Sequence, residues 1–201
     1  MNAPPLFRRR LWLGLPVGLL ALAGCGHSPP VQLYRLRSEP PQPFAPPPPS
    51  AERWQLLQPV RLPEYLDREA ILLPQGASGV LALSGHRWAE SLRDAVPRLL
   101  RQDLALLLGE GQVAGTPLPP GWMPTRLLRV ELLALEAEAG AGPQAVRLQA
   151  RWTVGDPAGQ RPPRTLTASL RAPAAGTSID DLVAAHRLAL WELAQRIAAG
   201  G

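Results

Sequence analysis

The 201-residue chain has no lysine, one cysteine and only three histidines. Without lysine it lacks the amine that grips a nucleotide phosphate in a P-loop, forms a Schiff base or completes a Ser-Lys dyad, so those chemistries are excluded. A lone thiol cannot form an internal disulfide, and thiolate zinc or iron–sulfur ligation has no ligand set. His27, His86 and His186 show no pair at metal-ligand spacing. There is no Gly-x-Ser-x-Gly elbow, and Gly109-Glu110-Gly111 is too short for a phosphate-binding fingerprint, so it reads as a helix stop. Nor is there a long apolar run: the longest, Leu11 to Ala23, falls short of the ~20 residues a membrane-spanning helix needs.

That short run is nonetheless the most informative stretch of the chain. Arg8, Arg9 and Arg10 precede it, and it ends in Leu22-Ala23-Gly24-Cys25, where Cys25 is the only cysteine. A basic segment, a short apolar segment and small residues before a cysteine are similar to a bacterial lipoprotein signal. On that reading residues 1–24 are removed, and Cys25 becomes the N-terminal residue carrying covalent lipid, palmitate among its acyl chains. At ~0.8 kcal/mol per buried methylene one chain holds weakly and several hold firmly. A twin-arginine export signal is the weaker reading of Arg8-Arg9. Gly26 follows the cysteine, not the aspartate that retains lipoproteins at the inner membrane of enteric bacteria, so the expected destination is the periplasmic face of the outer membrane.

Loss of Arg8, Arg9 and Arg10 lowers the formal charge of +5, leaving 18 arginines against 16 acids. So small an excess is a poor footprint for nucleic acid, and no nucleic-acid partner is expected. The residues from Cys25 onward suffice for one domain with a real core. The expected divisions are 1–24 signal peptide, 25–30 lipidated tether and 31–201 domain.

Val31 to Leu36 alternates as a half-buried strand does, and Trp54 to Leu62 reads as a second strand. Between them residues 40–50 are proline-rich, a stretch that serves as a docking peptide, a spacer or, the preferred reading, a solvated loop within the domain. Ala70 to Leu73 and Val80 to Leu83 are short strands around the turn Gly76-Ala77-Ser78-Gly79. From Arg87 to Leu108 the residues Trp88, Leu92, Val96, Leu99, Leu100, Leu104 and Leu107 form a helical stripe, with a kink or break expected at Pro97.

Three stretches then show period two: Leu128 to Ala134, Val146 to Val154 and Leu166 to Leu170, joined by Gly- and Pro-rich connections that suit an antiparallel meander. A last helix begins at Thr177-Ser178, whose hydroxyls cap it, and its stripe Ile179, Val183, His186, Leu190, Leu193 and Ile197 should pack on the sheet. The expected fold class is α+β: mostly antiparallel β-sheet with two main amphipathic helices packed on it, a single domain after the signal.

Candidate chemistry is thin. Glu131, Glu136 and Glu138 are explained by solvation on a strand face, and His186 by packing within its stripe. Of six tryptophans, Trp54, Trp88, Trp152 and Trp191 fall in predicted elements and suit the core; Trp122 lies in a Pro-Gly loop without a predicted packing partner. No catalytic, cofactor or metal residue is assigned, and no enzyme activity is expected.

One segment is more specific. Leu62-Pro63-Glu64-Tyr65-Leu66-Asp67-Arg68 followed by Ile71-Leu72, the Tyr34-Arg35-Leu36 strand and Arg87-Trp88-Ala89-Glu90-Ser91-Leu92 together resemble the ABC-type transport auxiliary lipoproteins, in particular their PqiC (YmbA) branch of the paraquat-inducible Pqi system. The likeness extends to the C-terminal strands and helix. Pro40 to Pro49 departs from it as an insertion, and His186 stands where a small polar residue is expected. The resemblance implies an auxiliary subunit of an MCE-type lipid transport system that supports membrane integrity. Its partners would be the membrane, through the lipid anchor, an MCE-domain periplasmic tunnel protein and that system's inner-membrane component. A homo-oligomeric ring is one assembly it allows. For Leu62, Pro63, Tyr65, Leu66, Asp67, Arg68 and Trp88 it implies a structural role first, with a network through Asp67 and Arg68, and partner contact second. Two other classes stay open on the sequence: a periplasmic envelope-assembly or binding lipoprotein without a transporter, and a lipoprotein hydrolase, which would need a paired nucleophile and base.

Overall fold

The computed structural model describes residues 30–45, 48, 50–138 and 145–200. The signal, Cys25, much of Pro46 to Pro49 and residues 139–144 lie outside the described residues. Val31–Gly201 forms one compact unit.

The centre of the fold is the antiparallel meander that the period-two patterns predict: β6 (Arg126–Ala137), β7 (Ala145–Gly155) and β8 (Arg164–Pro173). Leu128, Val130 and Leu132 on β6 and Val146, Leu148, Ala150, Trp152 and Val154 on β7 are buried. A bulge between Leu132 and Ala134 changes the phase, so that Leu133 is exposed while Leu135 and Ala137 rejoin the buried face opposite Leu148 and Val146.

Beyond β6 the sheet continues with β2 (Trp54–Leu56) and β5 (Val113–Ala114), in the order β5-β2-β6-β7-β8, and β2 is parallel to both of its neighbours. The second strand is therefore much shorter than Trp54 to Leu62. Pro59 has no N–H to offer a ladder, and pairing resumes only at Arg61, which bridges to Glu131.

A second sheet, β1-β4-β3, is built from β1 (Gln32–Tyr34), β3 (Ala70–Gln75) and β4 (Gly79–Trp88). β3 and β4 form the expected hairpin around Gly76, whose φ of 66° suits a tight turn. β1 runs parallel to β4 and is less buried than its alternation suggests: Leu33 is 65% exposed, and only Leu36 beyond it enters the core.

The first helix, α1 (Leu92–Leu108), starts later than its apolar stripe predicts. Arg87 and Trp88 close β4, where the Trp88 amide donates to the Glu69 carbonyl at 2.7 Å, and Ser91 caps the helix by accepting from the Arg93 amide at 3.1 Å. The helix runs unbroken through Pro97. The acceptor that Pro97 leaves without its helical partner is the carbonyl of Arg93, an exposed residue, where solvent can satisfy it at little cost. Gly109 caps the other end, its amide donating to Ala105 O at 3.0 Å.

The second helix, α2 (Ile179–Gly200), begins with a reciprocal cap. Ser178 Oγ accepts from the Asp181 amide at 3.1 Å, and Asp181 Oδ2 accepts from the Ser178 amide at 3.2 Å. Ser178 thus does the capping expected of the Thr177-Ser178 pair. Val183, His186, Leu190, Leu193 and Ile197 are buried, and the helix packs over β7 and β8 with α1 beside it. The fold is α+β and mostly sheet, but both sheets are mixed.

Candidate functional site

The Leu62–Arg68 segment makes a tight corner. Pro63 leads into a single 3-10 turn, Glu64–Leu66, closed by the Leu66 amide on Pro63 O and the Asp67 amide on Glu64 O, both at 3.0 Å. The corner drives Leu66 inward and lays Tyr65 against the core. Tyr65, Leu66 and Trp88 then meet Ile71, Leu92, Leu135 and His186 around a small apolar cleft below the β3–β4 hairpin. Leu62 packs on the same core.

Polar contacts fix the cleft's rim. The Tyr65 hydroxyl donates to Glu136 Oε2 at 3.3 Å, and Glu136 is ion-paired with Arg147 across the sheet. Burial, and after it the Glu136 charge, hold the Tyr65 phenol above its ordinary value. His186 closes the floor, its ring edge-on to Trp88 at 5.5 Å and its Nδ1 2.8 Å from the Leu182 carbonyl, which fixes Nδ1 as the protonated nitrogen. Burial lowers its pKa from 6.5 to about 4, so the ring is neutral at pH 7.

The network expected of Asp67 and Arg68 runs elsewhere. Asp67 Oδ2 pairs with Arg93 of α1 at 2.6 Å, which joins the corner to the helix. Arg68 is exposed, and among the described residues no carboxylate lies within ion-pair distance of it. The reason is geometric: after the 3-10 turn the two neighbouring side chains diverge, and Asp67 finds α1 first. Both line a shallow surface depression with Glu69, Trp88 and Glu90.

A second feature has no counterpart in the sequence reading. Asp103 of α1 and Arg187 of α2, both buried, form a two-pronged ion pair: Nη2 to Oδ1 at 2.7 Å and Nη1 to Oδ2 at 2.8 Å. Arg187 also donates Nε to Arg37 O at 2.7 Å and Nη2 to Ser38 O at 3.3 Å, and it lies 5.9 Å from the Trp191 ring centre. Gln102 and Arg98 of α1 reach Ser38 as well. Desolvation pushes the Asp103 carboxyl above its ordinary value, and the guanidinium acts against that by favouring the charged form. A signal was present: Asp103 and Arg187 both fall on the apolar stripes of their helices, Asp103 three residues after Leu100 and Arg187 four after Val183.

Beside this pair an open groove of about 490 Å³ is lined by Arg35, Arg37, Glu39, Pro40, Asp180 and Val183. Its two free arginines are matched by two acids, and Arg187 is neutralised by Asp103, so the groove is not strongly basic. The proline-rich loop is pinned nearby by Phe44, whose ring meets Trp191 edge-on at 5.4 Å.

The remaining candidates sit where solvation or packing places them. Glu131 faces Arg151, and Glu138 pairs with Arg171 at 2.8 Å. Trp54, Trp88, Trp152 and Trp191 are buried, and Trp122 donates Nε1 to Gly111 O at 3.1 Å. Among the described residues no three His, Cys, Asp or Glu side chains converge as a metal site. No described helix is long and apolar enough to cross a membrane.

Residues 34–198 match the family described as ABC-type transport auxiliary lipoprotein component. The chain belongs to that family. Two solved structures show how far the auxiliary-lipoprotein fold is shared. One, the crystal structure of an uncharacterized protein, is 18% identical with a TM-score of 0.64, over 85% of this chain and 97% of that one. The other, a Xanthomonas campestris protein of the family model DUF330, is 15% identical with a TM-score of 0.61, over 84% of this chain and 93% of that one. At such identities the likeness is one of fold. No curated protein matches the chain.

Proposed function

We propose that this auxiliary lipoprotein is a non-enzymatic adaptor, acylated on Cys25 after removal of residues 1–24 and held at the periplasmic face of the outer membrane. There it docks on the MCE-domain tunnel protein of an intermembrane lipid transport system. The observation that carries the reading is the family match across residues 34–198, which names a transport auxiliary component. Leu22-Ala23-Gly24-Cys25 supplies the anchor, and residues 25–30 are a tether too short for the domain to stand far from the membrane.

The site supports an adaptor more than a catalyst. Its titratable groups are spent on structure: Glu136 on Tyr65 and Arg147, Asp67 on Arg93, Asp103 on Arg187. The test is recovery of the acylated protein from cross-linked membranes with its bound proteins identified. Co-recovery of an MCE-domain protein is expected, and its repeated absence would overturn the adaptor reading. A Cys25→Ala control leaves the membrane fraction if the anchor is right. Its persistence there as a mature-length chain would refute the anchor.

A further inference from the structure

The β3–β4 hairpin is unusual for a surface element. From Ala70 to Gly85 no residue carries a charge, and β3 is an edge strand. In its outer half Leu73 pairs with Leu81, while Leu72 pairs with Ala82 and Pro74 with Val80, so both faces of the ribbon are apolar. Val80 is 56% and Leu81 45% exposed; Leu33 on the neighbouring strand is 65% and Val31 just before it 50% exposed. An uncharged apolar edge left in water invites aggregation, and soluble proteins blunt such edges with charge or cover them.

The direction of β1 decides what covers it. Because β1 is parallel to β4, with Gln32 beside His86 and Tyr34 beside Trp88, the chain enters β1 from the side toward which the hairpin turn points. Leu33, Arg87 and Ala70 are at one level of the sheet. From that level the hairpin advances five residues to Gln75, about 17 Å at strand spacing. Eight residues separate Leu33 from Cys25, a reach of about 27 Å at full extension. On the side from which the chain enters β1, the tip therefore extends more than half of the distance that residues 25–33 can span. A tether less than fully extended would let Val80 and Leu81 reach the headgroups around a lipid on Cys25. The bulge that offsets the hairpin from its base is made possible by Gly85 at φ 76°.

We infer that the β3–β4 hairpin is a second membrane contact, its tip of Val80 and Leu81 seated in the phospholipid interface of the leaflet that holds the anchor. The inference rests on Cys25 being the lipidated residue. It makes the lipoprotein a two-point attachment, with the lipid supplying retention and the hairpin fixing which side of the domain faces the membrane.

The test uses the acylated mature protein, whose only native thiol is occupied by lipid, so that Leu81→Cys introduces a unique labelling site. Gln160→Cys, in the exposed β7–β8 connection at the other end of the meander from Leu135 and the cleft, is the control. Each protein carries a nitrobenzoxadiazole label and is reconstituted into phosphatidylethanolamine–phosphatidylglycerol vesicles with and without brominated acyl chains. The expected result is co-flotation of both, with a blue shift and bromine quenching at position 81 and neither at 160. Co-flotation with an aqueous, unquenched label at 81 overturns the hairpin contact and leaves the anchor standing. A blue shift at 81 without bromine quenching means that protein, a second copy or a partner, covers the tip, and also overturns it. Failure to float refutes the anchor and the inference together.

Discussion

Replacing Arg187 with leucine should be among the most damaging single changes available to this protein, because it strands a buried carboxylate. Asp103 is fully buried, and among the described residues its two oxygens bond only to the guanidinium. Without that partner the carboxyl must be buried charged or take up a proton, and Arg37 O loses the Nε donor at 2.7 Å. Breaking a buried pair on one side costs about 3–5 kcal/mol, and the upper half of that range applies here. Asp103→Leu should cost less, near the lower end, since the remaining guanidinium keeps the Arg37 and Ser38 carbonyls and the Trp191 face. In the double variant neither charge is stranded, so its cost should fall below the sum of the singles by at least ~2 kcal/mol. The assay is urea and thermal unfolding of the mature chain followed by tryptophan fluorescence; at about 2–4 °C per kcal/mol for a domain of this size, a cost of about 4–5 kcal/mol should lower Tm of Arg187→Leu by about 8–20 °C. Single costs below about 1 kcal/mol, or a double variant as unstable as the sum, would refute the reasoning.

Two further outcomes follow from the same contacts. His186 has a folded pKa of about 4 against 6.5 when exposed. Its contribution is therefore complete above pH 6.5 and is lost as pH falls toward 4, to a limit of about 3 kcal/mol. His186→Phe should flatten that part of the profile, so the wild-type urea midpoint declines between pH 7 and 4.5 more steeply than the variant's; parallel profiles would exclude His186 as the cause. Ser178→Ala removes the hydroxyl half of the α2 cap and leaves Asp181 Oδ2 on the backbone amide of residue 178; it should cost about 1 kcal/mol, read as a lower urea midpoint with unchanged m, and no loss would show that Asp181 alone holds the helix start.

Local periodicity carried most of the architecture. The β6–β8 meander, the α2 stripe and the β3–β4 turn were legible because each is a short-range pattern whose partner is the next element in the chain. The parallel pairings of β2 with β6 and β1 with β4 were not, since they join strands separated by whole intervening elements and leave no local mark. Trp88 misled for a specific reason: it lies four residues before Leu92 and so extends a helical stripe, yet its amide is committed to Glu69. In the site, Tyr65, Leu66 and Trp88 were legible as packing residues. Asp67 was legible as a network member, but its partner Arg93 on α1 was not. The Asp103–Arg187 pair is not legible in the sequence, because a charge within an apolar stripe looks like an interruption until its opposite appears on the facing helix.

That buried pair raises the question of why a charge is kept where leucines would pack. Hydrophobic replacement of both members is often neutral or better for stability, so the pair's use lies in what else it holds. β1 is three residues long, at the edge of its sheet and largely exposed, and on its own such a strand is marginal. With the proposed anchor at Cys25, it is also the strand through which load on the tether would enter the domain. Behind it Ala89 donates to Tyr34 O at 2.7 Å, and Arg187 fastens Arg37 O and Ser38 O. A guanidinium can satisfy a carboxylate and two backbone carbonyls at once, which a leucine cannot. Asp103 orients that fork from α1, so the two helices grip the chain just past this short, exposed strand. A double leucine variant that keeps its stability should therefore still lose protection of the Val31–Ser38 amides in hydrogen exchange, and retained protection there would show that β1 holds without the clamp.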